Sequence, residues 1–386
     1  MHPSYVRKYN ASRIFHALRS NPGATKRELS ELSGCDKSTT SLILRSFEEI
    51  GLAVTEAAQS GARRGRPSVA YRLSTVNGLL IGVHLEFEQM VIVAAGIDGQ
   101  PIGKFEQPLP AEPAALGKDL RRGIQALCTD LGRDLAEIRA IGFTLPGLVG
   151  AAGGLAQSPN LDWNEIDVAA MLREEIGAPV HVDNDTNASA LAEYLFGACG
   201  DISDFVVIDG GLGLGGGLFI DGRPYRGASG FGGELGHIKV VPDGKICGCG
   251  AQGCLSAYLA APPLLAAAQR HIRIRTIDEL VRAAADGNEP ILELLDDSGR
   301  YLGRALADIV NIFNPSAIVL GGIVGRIWPY AERTARRELG KLAMRASLND
   351  AEILLSQLGA DGIPVSSIAL ALDGFTSLDT QETSPW

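Results

Sequence analysis

Between Glu234 and Cys254 the chain reads Glu-Leu-Gly-His-Ile-Lys-Val-Val-Pro-Asp-Gly-Lys-Ile-Cys-Gly-Cys-Gly-Ala-Gln-Gly-Cys, and no other stretch constrains the fold so tightly. His237, Cys247, Cys249 and Cys254 place one imidazole and three thiols within eighteen residues. That donor set closes a tetrahedral structural zinc shell, in which four protein ligands leave no open position. Gly248, Gly250 and Gly253 lie between or beside the cysteines, where a chain turning its thiols onto one point needs backbone free of Cβ restrictions. The alternative is a set of free cysteines that only pack. The expectation is a Cys3His site with Zn2+ as its cofactor.

Charge divides the chain unevenly. Residues 1–75 hold twelve Lys/Arg against six Asp/Glu, while the remaining 311 residues hold 23 against 39. A basic module fused to an acidic body points to an anionic partner at the N-terminus, nucleic acid first. Ile14, Phe15 and Leu18 recur at helical spacing before the break Asn21-Pro22-Gly23. Thr25 and Glu28 form a capping box opening a short helix to about Ser33, Gly34 turns the chain, and a further helix runs from about Lys37 to Ile50. Helix, glycine turn, helix is the helix-turn-helix arrangement, whose second helix enters the major groove. Lys37, Ser38, Thr39, Thr40, Ser41 and Arg45 are the candidate DNA contacts of that helix, and Leu42, Ile43, Leu44, Phe47 and Ile50 its apolar side. The loop Gly61-Ala-Arg-Arg-Gly-Arg-Pro67, ahead of a strand Val69 to Leu73, places Arg63, Arg64 and Arg66 on a wing suited to the DNA backbone or a minor groove. A solvated basic loop is the plain alternative.

From Asn77 onward short apolar runs alternate with helical stretches, the pattern of an α/β body. Leu79–Val83, Met90–Ile97, Ile102–Phe105, Ile138–Phe143, Phe205–Asp209 and Gly216–Ile220 read as strands, with Asp98-Gly99 and Asp221-Gly222 as hairpin turns. Pro113 to Leu131 and the stretch Pro262 to Arg304 read as helical. No apolar run approaches the ~18 residues of a membrane span. Cys35, Cys128 and Cys199 stand singly, which suits a reducing cytoplasm better than a disulfide framework.

Glu-x-Gly-His followed by Cys-x-Cys-Gly-x-x-Gly-Cys resembles the signature of the ROK family (repressor, open reading frame, kinase), which comprises bacterial sugar kinases and sugar-responsive repressors. The resemblance covers nearly all of residues 77–386 and implies an α/β protein: an N-terminal winged helix-turn-helix followed by a two-lobed actin/hsp70/sugar-kinase-like body. The expected domains are 1–75 (winged helix), 76–200 (lobe 1), 201–375 (lobe 2 with the zinc site) and 376–386 (a disordered tail). Asn184-Asp185-Thr186-Asn187 matches the family's Asn-Asp-Ala-Asn, whose aspartate in kinase members deprotonates the attacking sugar hydroxyl. Gly147 and Asn160 fall in segments that border the sugar, and Glu234 and His237 in the motif itself. Where the family carries a second glutamate, this chain has Ser256. A helix N-cap is the local alternative for Asn184-Asp185.

The family's ATP-facing motifs are altered. His84-Leu-Glu-Phe-Glu88 stands where kinases carry Asp-x-Gly-Gly-Thr, and Gly211-Leu-Gly-Leu-Gly215 lacks the usual threonine. Two carboxylates repel a polyphosphate where backbone amides should face it. Asn314-Pro-Ser-Ala-Ile-Val-Leu-Gly-Gly322 resembles the adenosine-side strand and turn, read as a structural relic. The expectation is a cytoplasmic sugar-responsive regulator, not an enzyme, that binds operator DNA and a carbohydrate effector as a homodimer or homotetramer. An ATP-dependent sugar kinase and a regulator with a non-sensing pocket are the alternatives.

Overall fold

The computed structural model describes residues 3–57, 69–86, 88–150, 153–158, 161, 163–359, 362–378 and 386. The chain divides into two compact units: Met1–Phe143, Val168–Val182 and Ser367–Trp386 form one, and Thr144–Asp167 with Asp183–Ser366 the other.

In the first unit, helices Pro3–Ser20, Lys26–Ser33 and Lys37–Glu49 precede strands Ala53–Ala57 and Val69–Leu73, which pair antiparallel. Thr25 and Glu28 make the expected reciprocal capping box, and Gly34 ends the helix in the left-handed region at φ 60°. Asp36 caps the next helix through the amides of Ser38 and Thr39. Ile14, Phe15, Leu18, Leu29, Ile43, Leu44 and Phe47 are buried. Leu42 and Ile50, expected on the apolar side, are 60% and 50% exposed. Helical spacing brings Leu42 beside Ile43 in sequence, but a residue 100° away around the helix faces outward.

A five-stranded sheet follows in the order Val180–Asn184, Ile138–Leu145, Leu79–Leu85, Gln89–Gly96, Pro101–Pro108. The C-terminal helix Gly362–Thr376 packs on it where side chains are missing: a Cβ on Gly142 would overlap the Ser367 carbonyl, and one on Gly82 the Ser367 hydroxyl. Trp386, expected in a disordered tail, is half-buried with its ring 5.4 Å from Phe47, 5.6 Å from Phe15 and 6.4 Å from Phe375. Thr376, the other end of that expected tail, is buried and lies 3.3 Å from the ring of His16. Burial holds that imidazole neutral, down at about 3, with the Arg19 charge pushing the same way. A lone aromatic beyond the last periodic helix gives no repeat from which sequence could infer packing.

The second unit repeats the sheet plan. Its strands lie in the order Arg223–Pro224, Leu214–Ile220, Phe205–Gly210, Ala317–Leu320, Glu352–Leu355. In each sheet the first strand in sequence sits centrally, with the second and third to one side and the fourth and fifth to the other. The stretch Pro262 to Arg304 is broken at 269–276 and again at 286–288, and resolves into helices Ala261–Ala268, Ile277–Ala285 and Glu289–Phe313. Glu289–Phe313 packs against Gly322–Leu342, and Gly299 and Gly303 admit the close approach: Cβ atoms there would overlap the carbonyls of Ala331 and Ala335.

Candidate functional site

The four donors predicted from the motif converge. The ligand atoms of His237, Cys247, Cys249 and Cys254 all lie within 4.8 Å of one another, a set that could hold one metal ion. Two short bridges, Lys239 with Cys254 and Ile246 with Gln252, fold the segment so that residues seventeen apart in sequence meet. Gly250 and Gly253 adopt φ of 85° and 78°, the left-handed turns that a side chain would resist. Nδ1 of His237 stands 3.6 Å from the Cys247 sulfur, and Cys249 and Cys254 are 3.7 Å apart. Lys239 Nζ contacts the Cys254 sulfur at 2.8 Å and donates to the His237 carbonyl at 3.0 Å. Burial pushes the Cys247 thiol up to about 11. At Cys249 burial acts in the same sense, but the Ala251 amide, two neighbouring thiols and the Lys239 ammonium bring the net shift below the ordinary value.

The other ring nitrogen of His237 faces Glu234, with Nε2 and Oε2 3.6 Å apart. Glu234 precedes the 3-10 turn Leu235–His237, so the imidazole is shared between the thiol cluster and this carboxylate. Burial raises the Glu234 carboxyl above its usual range.

Asn184 is the N-cap of helix Asp185–Leu195: its Oδ1 accepts from the amides of Thr186 and Asn187. The alternative reading therefore describes its carbonyl, while its Nδ2 donates to Gly147 O at 2.9 Å and joins two of the expected sugar-bordering residues. Gly147 has φ 131°, and a Cβ there would overlap the Gln157 carbonyl. Asp185 keeps part of its surface open yet is hemmed in by protein. That desolvation pushes its carboxyl up to about 7, and the charges of Asp209 and Glu234 act in the same direction. Asp209, at the end of strand Phe205–Gly210, is pushed up to about 6 by burial, with Glu193 adding to the shift. The Ser256 hydroxyl is buried and donates to Gly236 O at 2.9 Å. Asn160 lies outside the described residues.

The expected phosphate hairpins are folded onto themselves. The Glu86 amide donates to Gln89 O at 2.8 Å, so it is committed inside the loop, and Glu86 and Glu88 are both exposed there. Phe87 lies outside the described residues. Gly211 N donates to Gly213 O at 2.9 Å, and Leu212 is 52% exposed where a phosphate-binding threonine would stand.

On helix Lys37–Glu49, Lys37, Ser38 and Arg45 are exposed and Thr39 and Ser41 half-buried. The hydroxyls of Ser38 and Thr39 donate to the Asp36 carboxylate, which is held well below the usual carboxylate range by those bonds. Thr40 faces the other way: it is fully buried, with its hydroxyl on Asp36 O at 2.9 Å. Exposed Leu42 shares the outer face with Ser38 and Arg45, a candidate contact that its hydrophobicity concealed in the sequence. Arg63, Arg64 and Arg66 lie outside the described residues.

A helix-turn-helix module on a twofold-repeated α/β body with a Cys/His cluster defines a DNA-binding regulator built on a sugar-kinase-like fold. The chain belongs to the ROK family: the ROK family model matches residues 90–373, and the IclR helix-turn-helix domain model matches residues 10–57. It is 26% identical over 378 residues to the xylose repressor of Bacillus subtilis, covering 98% of each protein. A crystal structure of a ROK family transcriptional regulator, a homologue of the E. coli MLC protein, superposes with a TM-score of 0.80 at 26% identity, over 95% of this chain and 97% of that one. Similarity to a Streptomyces coelicolor glucokinase reaches 31% over 264 residues, which span 64% of this chain and 82% of the glucokinase. The kinase likeness omits about a third of this chain, whereas the xylose repressor matches 98% of it.

Proposed function

We infer that the protein is a sugar-responsive transcriptional repressor of the ROK family, and that it is not an enzyme. The observation that carries this is the helix Lys37–Glu49, capped by Asp36 and exposing Lys37, Ser38, Leu42 and Arg45, joined to a body that exposes Glu86 and Glu88 at the first phosphate hairpin and Leu212 at the second. Lys37 and Arg45 suit phosphates, Ser41 phosphate or base edges, Ser38 (whose hydroxyl proton goes to Asp36) a base-edge amino group, and Leu42 a thymine methyl. Arg63, Arg64 and Arg66 would extend the contact from the wing.

The effector site we propose comprises Gly147, Asn160, Asn184, Asp185, Glu234 and His237. Asp185 and Glu234 offer carboxylate acceptors to sugar hydroxyls. Ser256, bound to Gly236, leaves unfilled the reach that a glutamate would have, which suits a ligand bulkier or differently substituted at that position.

The cysteine cluster suits Zn2+. Tetrahedral ligands at about 2.3 Å stand about 3.8 Å apart, close to the 3.6 and 3.7 Å separations of its donors. Zinc bound there by four protein ligands would be structural, holding His237 so that Nε2 faces Glu234. Among the described residues no helix is long and apolar enough to cross a membrane, and we place the protein in the cytoplasm. A homodimer or homotetramer would read paired half-sites, and the domain boundaries proposed are 1–75, 76–200 and 201–375, with 376–386 following.

A coupled assay with ATP and D-glucose, D-xylose or N-acetyl-D-glucosamine tests the non-enzymatic reading. No turnover is expected; turnover abolished by Asp185→Asn would make the protein a kinase.

A further inference from the structure

Between strand Arg223–Pro224 and the turn Leu235–His237 runs an irregular segment, residues 225–234, with glycines at 227, 230, 232 and 233. Such a segment has little of its own to fix it, since glycine leaves the backbone wide freedom. One side chain ties its base. Arg226 donates through Nε to Asp183 Oδ2 at 2.6 Å, and a second guanidinium nitrogen reaches the same oxygen at 2.6 Å. Asp183 is 5% exposed at its side chain, and its other oxygen accepts from the amides of Asn184 at 2.8 Å and the Asn187 side chain at 3.1 Å. The Gly232 amide closes the loop by donating to Arg226 O at 2.8 Å. Immediately beyond, Gly233 passes so near Gly216 that a Cβ would overlap its carbonyl, and Glu234 follows.

We propose that Arg226 is the positioning residue of the effector site: its ion pair with Asp183 pins the glycine-rich loop that delivers Glu234 to the turn that carries Asn184 and Asp185. This rests on the reading of Asp185 and Glu234 as effector contacts. Asp183 lies one residue before Asn184 and two before Asp185, and Arg226 opens the loop that ends at Glu234, so one pair sets the spacing of both carboxylates. The Cys/His centre lies downstream and has its own bridges at Lys239 and Cys254. Loss of Arg226 should therefore loosen the loop and leave the metal in place. It would also strand a buried Asp183 charge, which raises the cost of losing the guanidinium.

Hydrogen exchange on the full-length protein without sugar decides the point. Arg226→Gln should speed exchange at residues 227–233 by about 10- to 100-fold, with the metal content and exchange across 238–254 at wild-type values. Arg226→Lys, which keeps the charge but offers a single donor group, should fall between. Unchanged exchange of the loop in Arg226→Gln, or equal loosening of the metal segment, would overturn the proposal. Calorimetry with D-xylose, D-glucose and N-acetyl-D-glucosamine adds a second readout. Any sugar the wild type binds should bind Arg226→Gln at least about tenfold more weakly, with sugar-free operator affinity unchanged; equal affinity overturns the proposal. A wild type that binds none of the three counts against the sugar reading, and the exchange result still stands by itself.

Discussion

His237 Nε2 stands 3.6 Å from Glu234 Oε2, while Nδ1 of the same ring faces the Cys247 sulfur at the same distance. One imidazole thus touches both the thiol cluster and a proposed effector contact. A metal ion held by Nδ1 would fix the ring plane and leave the proton on Nε2, on the side of Glu234. A metal centre there would act on the proposed effector site by orienting this ring.

Removing one thiol should therefore disturb two properties together. Cys249→Ser is expected to lower bound zinc from about one ion per chain to well below half, and to reduce the melting temperature and the sugar response in parallel. Cys128→Ser, at a buried thiol outside the cluster, should leave the zinc content unchanged. Elemental analysis beside a thermal melt checks both variants.

Asp185 gives stability a pH dependence of defined sign. At pH below the ordinary value of 3.8 its carboxyl is protonated in folded and unfolded states alike. Between there and about 7, the folded-state position, the unfolded chain releases a proton that the folded protein keeps, so stability falls as pH rises through that window. Asp209, pushed up to about 6, adds a contribution of the same sign. Asp185→Asn should melt above wild type at pH 8, with the difference vanishing near pH 4. A pH-independent difference would contradict the assignment.

Trp386 should support the DNA-binding module although it lies at the far end of the chain. Its ring meets Phe15 and Phe47 of the helix-turn-helix and Phe375 of the C-terminal helix. Trp386→Ala is expected to cost about 1–2 kcal/mol, less than full burial of an aromatic would give. Denaturant unfolding measures the loss, and proteolysis within residues 3–57 should quicken.

The outer face of the recognition helix predicts two different defects. Arg45→Ala should weaken binding to operator and random DNA alike and make the plot of log K against log salt shallower by about 0.9. Leu42→Ser should spare the salt slope and lose discrimination at one A·T pair, by about tenfold. Fluorescence anisotropy across a salt series separates the two.

Much of this was legible from short-range chemistry. The Thr25–Glu28 capping box and the Gly34 turn follow from residue types a few positions apart, and the Cys/His convergence from four donors inside one eighteen-residue stretch. What the sequence concealed depends on distant partners. Nothing near Trp386 announces Phe15 and Phe47, and nothing near Arg226 announces Asp183. Thr40 is buried and Leu42 exposed, the reverse of what residue type suggests, because helix phase decides which side chain faces the neighbouring helices. Ser256 was readable as a departure from the family motif, but only the fold shows its hydroxyl spent on Gly236 O.

Binding to the upstream promoter fragment at fixed salt, titrated with D-xylose, D-glucose and N-acetyl-D-glucosamine, tests the central claim most directly. The account predicts salt-dependent binding that one sugar shifts by about 5- to 150-fold, with the bound operator altering that sugar's affinity by the same factor. Firm operator binding that no sugar moves would contradict a sugar-responsive repressor and leave a DNA-binding protein whose body senses something else.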